Sequence, residues 1–164
     1  MKIAVLADIH GNEVALLSVL KDIAQHEPVD QIIVAGDHLT PGPAPEAVLR
    51  HLQTLPHVKC IRGNHDRYLL DNSYLTWPNP ADWQRQLQQA YGWTLKQIGS
   101  TGVAFLRNLA FSETVTIGNQ EMLVVHGSPT SDEEGLMPTT PTAHFAKMSI
   151  SPNTALLVCG HTHI

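Results

Sequence analysis

Asp8 with His10, Asp37, Asn64, His126, and His161 with His163 share one kind of place in the sequence: each stands just past a short apolar run. The runs are Lys2-Ile3-Ala4-Val5-Leu6-Ala7, Gln31-Ile32-Ile33-Val34-Ala35-Gly36, Val58-Lys59-Cys60-Ile61-Arg62-Gly63, Met122-Leu123-Val124-Val125 and Ala155-Leu156-Leu157-Val158-Cys159-Gly160. A mixed oxygen and imidazole donor set suits zinc, manganese or iron better than calcium or magnesium. Two divalent ions about 3.5–4 Å apart need one shared ligand and an open position on each. Asp37 is the natural bridge, because its carboxylate has two oxygens and it stands alone at its run's end. A hydroxide held between two cations is nucleophilic near neutral pH, and the same ions neutralise charge in a displacement at phosphorus. The chemistry expected of this set is therefore hydrolysis of a phosphate ester.

His65 directly follows a ligand candidate, so its side chain points elsewhere and is free to protonate a leaving oxygen as general acid. Asp66 is placed to orient it and hold its proton. His38 reads as a loop residue near the site, and His26, His51, His57 and His144 as residues of helices or surface turns without a role. Arg62 and Arg107 read as surface or ion-pair residues, with phosphate contact as the alternative.

The elements that must position these groups follow from the apolar pattern. Short Val- and Ile-rich runs bounded by Gly and polar residues read as strands buried on both faces. Their polar ends then lie along one edge of an open α/β sheet, where such sheets keep their binding crevice. A spacing of two puts Asp8 and His10 on one side of an extended chain, and His161 and His163 likewise. Glu13 to Glu27 carries Val14, Leu17, Leu20, Ile23 and Ala24 on one helical stripe, stopped by Pro28. Asn12 is placed to cap that helix and also to reach a bound phosphate. Thr40 to Pro45 forms a stiff loop beside the crevice, and Pro45 starts a helix over Glu46 to Leu55 buried through Val48, Leu49, Leu52 and Leu55.

Residues 71–107 differ in character: they hold Trp77, Trp83 and Trp93 and a Gln-rich helix from Ala81 to Gln97. They read as a helical, cap-like insertion. Its rings either face a substrate across the crevice or, through Trp83, Leu87, Tyr91 and Leu95, dock the helix on the domain. Phe111 to Ile117 alternates, Gly118-Asn119 turns and Gln120 to Val125 returns, which predicts a hairpin. Ser131 to Thr142 reads as a loop and Ala143 to Met148 as a short helix before the last strand.

A chain of 164 residues is expected to form one domain, residues 1–164, around one core. Its net charge of -5, with only 10 Lys and Arg, gives no basic footprint for long nucleic acid. A small phosphoester or nucleotide is the expected partner. No run approaches the roughly 18 apolar residues of a membrane helix, no secretory signal is evident, and Cys60 and Cys159 read as free core thiols. A cytoplasmic protein without membrane contact is the expectation.

In these blocks the chain resembles the calcineurin-like metallophosphoesterase superfamily, whose pattern runs D-x-H, G-D, G-N-H-D, a His before Gly, and G-H-x-H. All five are present in order from Asp8 to His163. Asp8-Ile9-His10-Gly11-Asn12 with Gly127-Ser128-Pro129 looks like the small bacterial and archaeal phosphodiesterase branch. The resemblance implies an αββα sandwich of two sheets. It also implies one metal on Asp8, His10, Asp37 and His163, a second on Asp37, Asn64, His126 and His161, and a catalytic His65. The family pattern commonly continues into further strands beyond G-H-x-H, so the chain reads as truncated there, and a homodimer is one way to cover the exposed face. The implied activity is a phosphodiesterase. Its rivals are a non-catalytic metal-binding scaffold, a serine/threonine phosphoprotein phosphatase and a dinucleoside polyphosphate hydrolase.

Overall fold

The computed structural model describes residues 1–26 and 28–164. Three apolar runs become parallel strands, β1 (Ile3–Leu6), β2 (Gln31–Ala35) and β3 (Val58–Ile61), in the order β1-β2-β3. Register pairs Val5 with Ile33 and Val34 with Cys60. The crossovers are helices α1 (Glu13–Gln25) and α2 (Pro45–Thr54). Asn12 caps α1 through a hydrogen bond from the Ala15 amide, 3.0 Å, and Pro45 opens α2 as expected. The last residue expected of the first helix, Glu27, lies outside the described residues.

The remaining strands do not extend this sheet. β4 (Ser112–Ile117) and β5 (Gln120–Val125) form the antiparallel hairpin, turning at Gly118 with φ +63°, and β6 (Thr154–Val158) adds parallel to β5. The single open sheet drawn from the apolar runs is thus corrected to two three-stranded sheets, the sandwich that the resemblance implied. The reason is visible in the burial. Ile33, Ala35 and Ile61 on one face of the first sheet pack against Val115, Met122 and Val124 of the second. The opposite face, through Ile32 and Val34, packs against Leu16 of α1 and Val48, Leu49 and Leu52 of α2. Both faces of β2 are therefore buried, which accounts for its unbroken apolar run. Each such Ile or Leu contributes about 1.5–3 kcal/mol.

After β3 come α3 (Asn64–Asp71), a single turn of 3-10 helix at Ser73–Thr76 and the long α4 (Asp82–Arg107). α4 begins where the Gln-rich helix was expected but runs ten residues further, bending at Gly99, where φ is +57°. Leu87 and Leu95 pack on the core and Tyr91 is fully buried, whereas Trp83 is 61% exposed and meets the edge of this cluster at Trp77, ring centroids 6.4 Å apart. A short α5 (Thr142–Phe145) precedes β6, and Cys60 and Cys159 are free and half-buried. Among the described residues, no helix is long and apolar enough to cross a membrane.

Candidate metal centre

All seven ligand candidates meet at the carboxyl ends of β1, β2, β5 and β6 and the start of α3, but not by the geometry the spacing suggested. β1 stops at Leu6, and Asp8 and His10 both have left-handed backbone, φ +55° and +48°, as do Asp37, His161 and His163. The shared direction within each pair is thus set by turns rather than by extended chain. Asp, His and Asn adopt this conformation more readily than most residues, so the ligand types also suit the backbone.

Each carboxylate spends one oxygen on the backbone. Asp8 Oδ2 accepts from the His161 amide at 3.0 Å, and Asp37 Oδ1 from the His65 amide at 2.9 Å. Asp8 Oδ1 is left buried with no hydrogen-bond partner, and Asp37 Oδ2 faces histidines. The imidazoles are oriented in the same way. His10 Nδ1 lies 2.5 Å from the Thr40 carbonyl and His126 Nδ1 lies 2.8 Å from the Ala35 carbonyl. A carbonyl can only accept, so both rings carry a proton on Nδ1, which leaves Nε2 as the nitrogen each turns toward the ligand cluster.

Two donor groups result. His163 Nε2 lies 3.4 Å and His10 Nε2 4.0 Å from Asp8 Oδ1, and the two nitrogens are 3.3 Å apart. Asn64 Oδ1 lies 2.9 Å from His126 Nε2 and 3.1 Å from His161 Nδ1. Asp37 Oδ2 stands between the groups, 3.8 Å from His10 Nε2 and 3.4 Å from His126 Nε2. The convergence of Asp8, His10 and His163, and of Asp8, Asp37 and His126, within 4.8 Å, together with the orphaned Asp8 oxygen, fits divalent cations.

The electrostatics agree. Burial pushes the Asp37 carboxyl up, but its hydrogen bond and attraction to His126, aided by His65 and His10, outweigh this and bring it down to about 2. Burial likewise opposes charge on His126, yet Asp37 and the Ala35 carbonyl carry it up to about 9. The centre thus favours a buried anion surrounded by positive charge.

Glycine makes room for this. A Cβ on Gly63 would lie 2.2 Å from Asp37 Oδ1, and one on Gly36, whose φ is +90°, would lie 2.5 Å from His126 Nδ1. The ends of β2 and β3 therefore approach too closely for any side chain at either position.

His65 lines the same crevice, a cavity of about 580 Å³ shared with Asp8, Ile9, His10, Asn12, Asp37, Pro41, Gly42, Pro43, His161 and His163. Asn12 therefore both caps α1 and faces the crevice; Arg62 and Arg107 do not line it. A larger groove of about 860 Å³ between α2, β3 and the end of α4 is lined mainly by apolar and small polar side chains away from the ligand cluster. Burial lowers the His65 pKa despite the opposing pull of Asp37.

The orienting role expected of Asp66 is corrected. Its Oδ2 accepts from the Gly63 amide at 2.9 Å, the Asp37 amide at 2.9 Å and His38 Nδ1 at 2.7 Å, and its Oδ1 from the His38 amide at 3.1 Å. Four donors hold Asp66 beneath the site, turned toward His38. His38, expected in a loop, is fully buried, and despite that burial Asp66 raises its pKa to about 10. The partner of His65 is instead Tyr91, whose hydroxyl lies 2.8 Å from Nδ1. Neither His38 nor Tyr91 was expected to take part in the chemistry, Tyr91 being read as a residue that docks α4; the one signal for His38 was its adjacency to Asp37.

α3 also anchors the loop after β5. Arg67 makes two hydrogen bonds to Asp132, 2.8 and 3.1 Å, and Arg67 and Tyr68 both donate to Glu133 Oε1. These contacts raise the Arg67 pKa and hold the backbone that follows His126.

With this geometry in view, comparison with known proteins is decisive at the family level. Residues 1–164 match the family model of calcineurin-like phosphoesterases. The chain belongs to the calcineurin-like phosphoesterase family. That family uses divalent metal ions. Among solved structures, a metallophosphoesterase from Sphaerobacter thermophilus shares 27% identity at TM-score 0.72, covering 100% of this chain and 61% of that protein. A hypothetical protein from Pyrococcus horikoshii OT3 shares 25% identity at TM-score 0.72, covering 87% of this chain and 62% of that one. Among curated proteins, a symmetrical bis(5'-nucleosyl)-tetraphosphatase from Serratia proteamaculans is 37% identical over 71 residues, 43% of this chain and 25% of that enzyme. The chain thus matches only a quarter of the length of that curated relative.

Proposed function

We propose that this phosphoesterase hydrolyses phosphodiesters at a centre of two divalent ions, manganese, iron or zinc, with His65 as general acid. The observation that carries it is Asp37 Oδ2 standing between two donor groups, within 3.8 Å of His10 and 3.4 Å of His126. Asp8, His10, Asp37 and His163 would hold one ion, and Asp37, Asn64, His126 and His161 the other. When bound, the ions lower the pKa of water and neutralise charge on phosphoryl oxygens. The chain's own residues supply the rest. His65 gives its proton to the leaving oxygen as the P–O bond breaks, and Ile9, Pro41 and Pro43 offer an apolar wall to the ester group.

A second proposal, cleavage of dinucleoside polyphosphates, is favoured by the name of the Serratia relative. The crevice lining, His and Asp with Asn, Ile, Gly and Pro, favours the simple diester, since a polyphosphate chain would place several further charges against it.

The test is metal content together with manganese-dependent turnover of bis-nitrophenyl phosphate, mono-nitrophenyl phosphate and diadenosine tetraphosphate, on wild type and His65→Ala. Two ions per chain and preference for the diester are expected, with a loss of about 10²–10⁴-fold in kcat on removing His65 when the leaving group needs protonation, as in diphenyl phosphate. Preference for the tetraphosphate would establish the second proposal. Two ions without turnover of any substrate would instead make the chain a metal-binding scaffold.

A further inference from the structure

We propose that Tyr91 is the positioning residue of His65. Its hydroxyl holds Nδ1 and thereby aims Nε2 into the crevice throughout turnover. The inference rests on the role proposed above for His65.

The geometry is built for this. Tyr91 is fully buried, and its hydroxyl lies 2.8 Å from His65 Nδ1. Its ring is fixed from several sides, by Tyr74 at a centroid distance of 4.7 Å, Tyr68 at 6.2 Å and Trp77 at 6.4 Å. His65 itself packs against the rings of Tyr68 and Tyr91 at 5.8 and 5.7 Å. One nitrogen being engaged by Tyr91, the other is the atom left for the crevice that His65 lines. Asp66, the acidic alternative, is occupied by four other donors.

A hydroxyl suits a group that gains and loses a proton. It accepts from Nδ1–H of the imidazolium and of the neutral ring that remains once Nε2 has given up its proton, and it rotates to donate when Nδ1 is bare. The ring keeps its direction in both states. In the proposed step the imidazolium passes its Nε2 proton to the leaving oxygen as the P–O bond breaks, which leaves a neutral ring with its proton on Nδ1 toward the Tyr91 oxygen, and the proton released when water becomes the nucleophile recharges the ring at Nε2. Burial, followed by the nearby Asp37 carboxylate, pushes the Tyr91 phenol well above its ordinary value, so it keeps its proton for this exchange. This also gives a reason for the long α4: its first half delivers the ring that orients the acid.

The experiment uses Tyr91→Phe, which keeps the ring and removes one oxygen, with circular dichroism and thermal unfolding to verify the fold. Turnover is measured on bis-nitrophenyl phosphate, whose leaving group needs little protonation, and on diphenyl phosphate, whose leaving group needs much more. The expected result is a kcat loss of about 10–100-fold on diphenyl phosphate, a loss of a few-fold at most on the nitrophenyl ester and KM within about two-fold. In His65→Ala the further change Tyr91→Phe should add no loss. Independently of turnover, nitrogen NMR of metal-free protein above the usual imidazole pKa should show His65 held as one tautomer, and a mixture in Tyr91→Phe. Equal losses on both esters, or an unchanged tautomer in Tyr91→Phe, overturns the inference. A wild type that hydrolyses neither ester overturns the proposed function, and the NMR comparison then decides the Tyr91 contact alone.

Discussion

The buried pair of Asp66 and His38 makes a quantitative prediction. Asp66→Asn keeps the shape of the side chain, removes the charge facing His38 and turns an NH₂ group toward at least one of four N–H donors. Breaking one side of a buried pair costs about 3–5 kcal/mol, since the other group is left uncompensated. For a chain of this length each kcal/mol moves Tm by about 2–4 °C, so a fall of about 6–20 °C is expected. The pH dependence is a sharper signature. The pKa of His38 is raised from 6.5 to about 10. Its contribution is therefore fully present below 6.5, declines above that value and is lost as pH rises through about 10. The gap in stability between wild type and Asp66→Asn should accordingly narrow across that window, by up to about 1.4 kcal/mol per pH unit. His126, raised to about 9, also weakens the metal-free protein at alkaline pH, but it is present in both proteins and cancels in the difference. The assay is thermal and urea unfolding in chelator from about pH 6 to pH 10, within the window where histidine linkage acts. A Tm change below about 2 °C, or a gap that stays constant with pH, would refute the argument.

Three further outcomes follow from the centre and its supports. Asp37→Asn should lose both ions, because it removes the charged oxygen between the two donor groups; two ions retained by elemental analysis would exclude the bridge. Metal binding should raise the wild-type Tm, each site adding about 2.7 kcal/mol at free metal a hundred times Kd, and chelator should reverse it. Gly63→Ala should cost about 1–3 kcal/mol and weaken metal binding, since its Cβ would fall 2.2 Å from Asp37 Oδ1; a variant with wild-type Tm and metal content would show that β2 and β3 separate freely.

Much of this was legible because burial on both faces leaves an unbroken apolar run, and because a ligand must interrupt it. Gln31 to Ala35 followed by Asp37 is the clear case. What the runs could not convey was which of them share a sheet: Met122 to Val125 looks like Ile32 to Ala35, yet it belongs to the second layer through its hairpin with β4. The role of Asp66 was misread because adjacency to His65 along a helix turns the two side chains apart. Tyr91, 26 residues beyond His65, reaches it only through the packing of α4 on α3. Sequence spacing carries no trace of such a contact.

The left-handed backbone at Asp8, His10, Asp37, His161 and His163 affects how this site should be dissected. Alanine at such a position removes the donor and also forces a residue poorly suited to that conformation, at roughly 1–2 kcal/mol. An alanine scan would therefore add a backbone penalty at these five ligands and report metal affinity and chain strain as one number. Asparagine separates them, because it tolerates the same dihedral angles while removing the negative charge of an aspartate or the imidazole nitrogen of a histidine. Here the informative substitution is the one that keeps the turn.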